Sequence, residues 1–406
     1  MAFVAKTGES FDGIFTKYGT QNRRNKPGFK NRKELFFACF SNFNARSFPA
    51  CGISLNFTAS PDNLSEAKSA KFVQTMRNIF AALFLLAGFS AAAQDPIFSQ
   101  FYAMPLQVNP GFAGSAIAPR VGIAYRNQWS GFNNAYRTYA AFYEQSLERL
   151  NSGVGINLEG DNAGDGIYKT MRISAVYAYR LNINDNLAIK LGVEAGAYQT
   201  NLNWNKLIFP DQIDPIGGIG NGSGEVPPEF TTRTQLDISS GLLILSDKFY
   251  LGAALKHLNT PSDGILLVND NLSRGLPLRY TFHGGTEVVV KKGNKVRQPS
   301  FISPNFLFVS QGPYQQLNVG AYAGLGAIIA GGWYRHTFGN SDAIIVMAGF
   351  REGIFKMGVS YDVTVSGLSG RSGGTYELTL GILFDQNENL RRKKRRDLND
   401  CIRMFQ

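Results

Sequence analysis

Cysteine, histidine and charge are all scarce in this chain. Its 406 residues include 3 Cys and 3 His, and only 17% are Asp, Glu, Lys or Arg. Cys39 and Cys51 fall early and Cys401 near the end, so no pair has zinc-ligand spacing. His257, His283 and His336 are the whole imidazole supply. They read as solvated or interfacial strand residues, so a hydrolase is not expected. Long apolar runs are missing too. The longest, Ile79 to Ala93, falls short of the roughly 20 residues a membrane-spanning helix requires.

That short run has another reading. Arg77 supplies a positive start, Ile79 to Phe89 the apolar middle, and Ala91-Ala92-Ala93 a small-residue cleavage site before Gln94. Residues 76–93 therefore read as an export signal with Met76 as initiator and cleavage between Ala93 and Gln94. Residues 1–75 show no clear periodicity and stand ahead of an export signal. They are expected to be an overextended reading frame or a disordered extension. The formal net charge of +11 shrinks accordingly: 29 Lys/Arg against 25 Asp/Glu follow residue 93, leaving +4. Six of those positives are one run, Arg391 to Arg396, so the rest is near neutral and nucleic acid is not an expected partner. Only Cys401 remains after processing, which excludes a disulfide within one mature chain.

What the chain has in quantity is glycine, at 44 residues, and aromatic side chains, at 13%. From Arg120 to Phe384 the dominant period is two. Leu187, Ile189, Leu191, Val193, Ala195 and Ala197 share one face, with Ala188, Lys190, Gly192, Glu194 and Gly196 on the other. Phe355, Met357, Val359, Tyr361 and Val363 alternate in the same way with Lys356, Gly358, Ser360 and Asp362. Ile173, Ala175, Tyr177, Tyr179 and Leu181 oppose Arg172, Ser174 and Arg180. Such strands have one apolar and one polar face. In a soluble sandwich the apolar faces meet each other; in a membrane barrel they meet lipid.

About fourteen such segments are countable, near 118–129, 135–147, 152–160, 169–182, 186–201, 231–245, 248–258, 279–291, 299–310, 314–326, 328–338, 342–351, 353–365 and 374–385. The even number suits a closed bacterial outer-membrane barrel. Connections after strands 2, 4, 6 and 12 are tight, and those after 3, 5, 7 and 13 are longer, as periplasmic turns and extracellular loops alternate. The expectation is an all-β, transmembrane antiparallel barrel over 118–385 in the outer membrane. An N-terminal non-strand segment, 94–117, is expected in the lumen or at the periplasmic rim. A basic periplasmic tail, 386–406, follows. "DNAGDG" from Asp161 lacks calcium-loop ligands at Ala163 and Arg172 and reads as a loop tip. "GGIGNGSG" from Gly217 lacks a strand–helix context and reads as a flexible extracellular loop. No cofactor is implied.

The segment after the signal, "QDPIFSQFYAMPLQVNPGFAGS", is aromatic and too interrupted for a strand. Four stretches carry a likeness: "DPIFSQFY" at 95–102, "NPGFAG" at 109–114, "YRNQW" at 125–129 and "SYD" at 360–362. Over about 94–385 the chain resembles the PorP/SprF family of type IX secretion system membrane proteins from Bacteroidetes. The matching residues are Asp95, Pro96, Ser99, Gln100, Asn109, Pro110, Gly111, Tyr125, Arg126, Gln128, Trp129, Tyr361 and Asp362. The resemblance implies an outer-membrane barrel, not an enzyme. It implies partners among the periplasmic ring or motor proteins of the secretion system, or secreted adhesins of the surface and gliding machinery. The family's tails often place Pro after the Cys, where this chain has Ile402. A pore or hydrophobic-substrate transporter is the alternative function. Arg126 and Asp362 have the parity of lumen-facing positions and are expected to pair.

Overall fold

A computed structural model describes residues 94–384, apart from 117, 133–134, 215–217, 221, 262–274, 292–298, 339 and 366–369. The expected export signal, the segment before it and the basic tail lie outside the described residues. Among the described residues, no helix is long and apolar enough to cross a membrane.

The period-two pattern becomes fourteen antiparallel barrel strands. The first seven are β1 (Arg120–Gln128), β2 (Tyr136–Leu147), β3 (Ser152–Ala163), β4 (Tyr168–Asn184), β5 (Leu187–Leu202), β6 (Thr232–Ser246) and β7 (Phe249–Lys256). Strand β8 comes in two pieces, Arg279–Thr286 and Val288–Lys291, both paired to β9 (Ser300–Gln311). Then follow β10 (Tyr314–Leu325), β11 (Ile328–Thr337), β12 (Asn340–Glu352), β13 (Phe355–Thr364) and β14 (Thr375–Leu383). Each strand pairs with its sequence neighbours, and β14 returns to pair with β1 from Arg120↔Leu383 to Gln128↔Thr375. The sheet is closed and leaves no edge for another chain to extend. All fourteen expected segments correspond to strands, with ends shifted by a few residues.

The two faces are inverted relative to a soluble protein. On β5, Leu191 and Val193 are 57% and 56% exposed, while Lys190 and Glu194 are each 3% exposed. The apolar side chains point outward all round, for example Ile173, Leu251, Phe282, Val319, Val346 and Leu378. Such a surface is stable only against lipid, where closed strands also satisfy every backbone group internally.

Loop parity holds only in part. The third connection shrinks to residues 164–167, because β3 runs on through Asp161, Asn162 and Ala163. Asp161 accepts a hydrogen bond from Thr138 Oγ1 at 2.6 Å across the β2–β3 pair. It is a strand residue, not a loop tip. The connections after β9 and β11 are also short. The long ones, 203–231 and 257–278, still sit at the end opposite both barrel termini. That end is the extracellular one. The first of them is built rather than loose. Ile213–Asp214 pairs with Gly218–Ile219, and Asp211 accepts bonds from Ser223 Oγ and Gly224 N at 2.8 and 2.7 Å.

An arginine on the lipid face tests this inversion. Val193→Arg is expected to destabilise the barrel by about 2–4 kcal/mol. In heat-modifiable gel mobility it should leave a smaller folded fraction, whereas an outward Val193→Leu should not.

Candidate functional site

Residues 95–116 fill the lumen. Three short turns shape them: Phe101–Ala103, Pro105–Val108 and Pro110–Phe112. Pro105 and Pro110 each stand at the first position of a turn, where a missing N–H costs nothing. Phe98, Phe101, Tyr102, Met104, Leu106, Val108 and Phe112 are all buried. Tyr102 stacks on Trp333 at 5.6 Å and leans on Tyr322 at 5.5 Å. Phe112 stacks on His283 at 5.2 Å. The protein's principal apolar core is therefore its own N-terminal segment against the inner barrel wall.

Polar contacts fix that segment at three levels. Near the extracellular end, Asp95 meets His257 Nε2 at 2.6 Å, Arg172 at 3.3 Å and Arg279 at 3.4 Å. Its backbone N–H donates to Gln311 Oε1 at 3.0 Å.

The second level is the densest. Glu377 accepts from the backbone N–H groups of Ser99 and Gln100 at 2.7 and 2.9 Å. Arg126 pairs with Glu377 and donates to Ser99 Oγ at 3.0 Å. Ser99 Oγ donates to Asp362 at 2.6 Å, and Arg335 donates to Asp362 at 2.8 Å and also to Ser99 Oγ. Gln100 donates to Ser360 Oγ at 3.2 Å and accepts from Thr379 at 2.8 Å. At the periplasmic end, Lys190 Nζ donates to Ala113 O at 2.7 Å and Ser115 Oγ at 2.9 Å. Glu144 accepts from Gly114 N at 3.1 Å and from Arg120 at 2.5 Å.

Between these levels lies a bed of glycine. Gly192 and Gly241 face each other across β5 and β6. A side chain on Gly192 would collide with Pro110 and Gly111, and one on Gly241 with Asn109. Bare backbone there lets the Asn109-Pro110-Gly111 turn lie against the wall. Asn109 then caps its own turn by accepting from Gly111 N at 2.7 Å, and donates to Leu242 O at 2.9 Å and Ala253 O at 3.2 Å.

The thirteen motif residues divide by position. Asp95, Ser99, Gln100, Asn109, Pro110 and Gly111 are buried in the lumen, with Pro96 half-buried. Arg126 and Asp362 stand 3.6 Å apart, and Gln128 accepts from Arg126 at 3.2 Å. Tyr125, Trp129 and Tyr361 are not brought into that network. Tyr125 leans on Tyr139 at 5.2 Å, Trp129 on Tyr136 at 5.4 Å, and Tyr361 on Tyr376 at 4.9 Å. Sequence reading missed Glu377, Arg335, Arg172 and Lys190 as partners of the segment. Each is a charge on the polar face of an alternating strand, which was the available signal. Two of the three histidines also depart from expectation. His257 and His283 are fully buried, and only His336 lies at the rim, beside Tyr334 and Phe338. Among the described residues, no group of three His, Cys, Asp or Glu is placed to hold a metal ion.

The closed barrel and its fixed N-terminal segment can be set beside known proteins. The family model described as "Type IX secretion system membrane protein PorP/SprF" matches residues 90–382. The chain belongs to the PorP/SprF family. It is an outer-membrane β-barrel of the type IX secretion system family. No curated protein matches the sequence. Among solved structures, the chain is similar to the Ralstonia pickettii toluene transporter TbuX, at 11% identity and TM-score 0.40. That alignment covers 70% of this chain and 94% of that one. It is also similar to the Acinetobacter baumannii outer membrane protein Omp33, at 8% identity and TM-score 0.38, with 67% and 100% covered. A Rh. blastica porin mutant gives 8% identity and TM-score 0.29, covering 66% and 98%.

Two substitutions test how the PorP/SprF lumen is held. Glu377→Ala leaves Arg126 and two backbone N–H groups without their carboxylate. It should cost about 3–5 kcal/mol in denaturant unfolding followed by tryptophan fluorescence. Gly192→Leu should expel the Asn109-Pro110-Gly111 turn. Brief chymotrypsin treatment should then cut at Phe98, Phe101, Tyr102 or Phe112, which are protected in the wild type.

Proposed function

We propose that this PorP/SprF barrel is a docking protein rather than a conduit. It holds an exported surface adhesin, such as those of gliding motility, at its outer rim, or a periplasmic ring or motor component at its inner rim. The observation that carries this reading is the lumen itself, occupied by residues 95–116, which are fixed at three levels. A passive diffusion pore needs an open interior, such as the aqueous channel of the porins. Here the inward charges are spent on the chain's own backbone, through Glu377 on Ser99 and Gln100 and Lys190 on Ala113. The folded extracellular connection 203–231, with Trp204 against Phe209 at 4.8 Å, offers a preformed outer surface for such a partner. The family membership supports a role beside the secretion machinery. The motif residues act in this reading by keeping the lumen shut and the rims in shape.

Affinity purification from detergent-solubilised outer membranes, followed by mass spectrometry, tests the proposal. It should recover an exported adhesin or periplasmic secretion components in near-stoichiometric amount. In planar bilayers the wild-type protein should show no conductance steps, and deletion of residues 95–104 should create them. Steady conductance by the wild type, together with purification free of any partner, would establish the pore reading instead.

A further inference from the structure

A cavity of about 410 Å³ opens at the extracellular mouth and reaches down to Arg126 and Arg335 of the second level. The first residues of the lumen segment, Gln94 to Ile97, form part of its wall. The rest is largely aromatic and polar, with Trp129, Tyr136, Tyr168 and Tyr314 among the rings, Asp161 as a carboxylate, and Arg126 and Arg335, both already paired with Asp362, as cations. Charge balance distinguishes Asp161 from the other lumenal acids. Asp95, Glu144, Glu159, Glu194, Asp237, Asp362 and Glu377 each have an arginine, lysine or histidine partner within 4 Å. Asp161 has no such partner within 4 Å among the described residues, only the more distant Arg126, and its side-chain bond is to the hydroxyl of Thr138. A half-buried carboxylate among aromatic rings is the chemistry that receives an ammonium group.

Gln94 is exposed in the same cavity, whereas Asp95 beside it is 7% exposed and fixed by four groups. The sequence places an export-signal cleavage site between Ala93 and Gln94. Hydrolysis of that peptide bond adds one water, leaving a carboxylate on Ala93 and an amine on Gln94. With a pKa near 8, the new α-amine is an ammonium at neutral pH. We propose that the vestibule is an ammonium site, and that its occupant is the chain's own α-ammonium on Gln94, paired with Asp161. The mature N-terminus is then displayed at the cell's outer face, after the segment has threaded the lumen from the periplasmic side. Signal removal precedes that threading, because the ammonium that fits the vestibule exists only after the cut. Closure of the Gln94 side chain to pyroglutamate would release ammonia, abolish the charge and empty the site.

The test uses Gln94→Ala, which cannot cyclise, in whole cells. An impermeant amine-acylating biotin reagent is applied at pH 7, and the N-terminal peptide is read by mass spectrometry. The expected result is a chain beginning at residue 94 and acylated in intact cells. Asp161→Asn, which keeps an acceptor for Thr138, should speed acylation about two- to fivefold, the range of a partly exposed ion pair. Asp161→Glu should restore the slow rate, and heat-modifiable mobility selects folded protein in every case. A terminus elsewhere, labelling only after the outer membrane is permeabilised, or equal rates for folded wild type and D161N would each overturn the proposal.

Discussion

The grip of Glu377 on the backbone N–H groups of Ser99 and Gln100 is the contact on which the rest of this barrel depends. A carboxylate accepting two amide protons and an arginine is a strong charge-assisted site, and here it lies where water is excluded. It turns a loose N-terminal segment into part of the wall. Once Ser99 is fixed, its hydroxyl can sit between Asp362, Arg126 and Arg335. Phe101 and Tyr102 are then delivered to Trp333 and Tyr322. Fourteen strands enclose more volume than their inward side chains fill alone. The segment supplies the missing apolar mass, and the charges that would otherwise be orphaned supply its partners.

This arrangement explains why so many ionisable groups are buried without a reaction to perform. Arg172 meets Asp95, Glu159 and Asp237 within 3.3 Å, and its guanidinium also lies 5.3 Å from the centre of the Tyr198 ring. Buried ion pairs of this kind are poor sources of net stability but strong sources of geometric specificity. A mispositioned segment would leave several charges unpaired at once. The family and fold are those of a membrane secretion component, and the lumen fits that reading as a structural lock.

Much of the fold was legible because lipid imposes strict alternation. Each outward position had to be apolar and each inward one was free to be polar, so Leu191 against Lys190 or Val359 against Ser360 announced both strand and face. Arg126 and Asp362 were legible for the same reason. The glycines were not. Gly192 and Gly241 read as ordinary small residues of a barrel wall, and only the turn lying on them gives their meaning. The histidines misled because a lone strand histidine is usually solvated. Nothing local to His257 reveals that Asp95, 162 positions away, will reach it. The third connection misled because "DNAGDG" has turn composition, yet Asp161 to Ala163 still pair with β2.

The site of the grip has a further consequence for folding. Arg126 and Glu377 are direct partners in the register of β1 and β14, the two strands that meet last in sequence to close the barrel. Asp362 is on β13, the next strand round. Most of the seat for Ser99 and Gln100 lies on the consecutive strands β11–β14, through Arg335, Ser360, Asp362, Glu377 and Thr379; Arg126 of β1 completes it only when the two ends of the sheet come together. Opposite charges facing each other across that seam favour closure, and the segment, once seated, bonds to both sides of it. Arg126 in this way couples the filling of the lumen to the closing of the sheet. A barrel that opened at the β1–β14 seam would lose its lumen segment, and a barrel that lost the segment would leave buried charge at the seam.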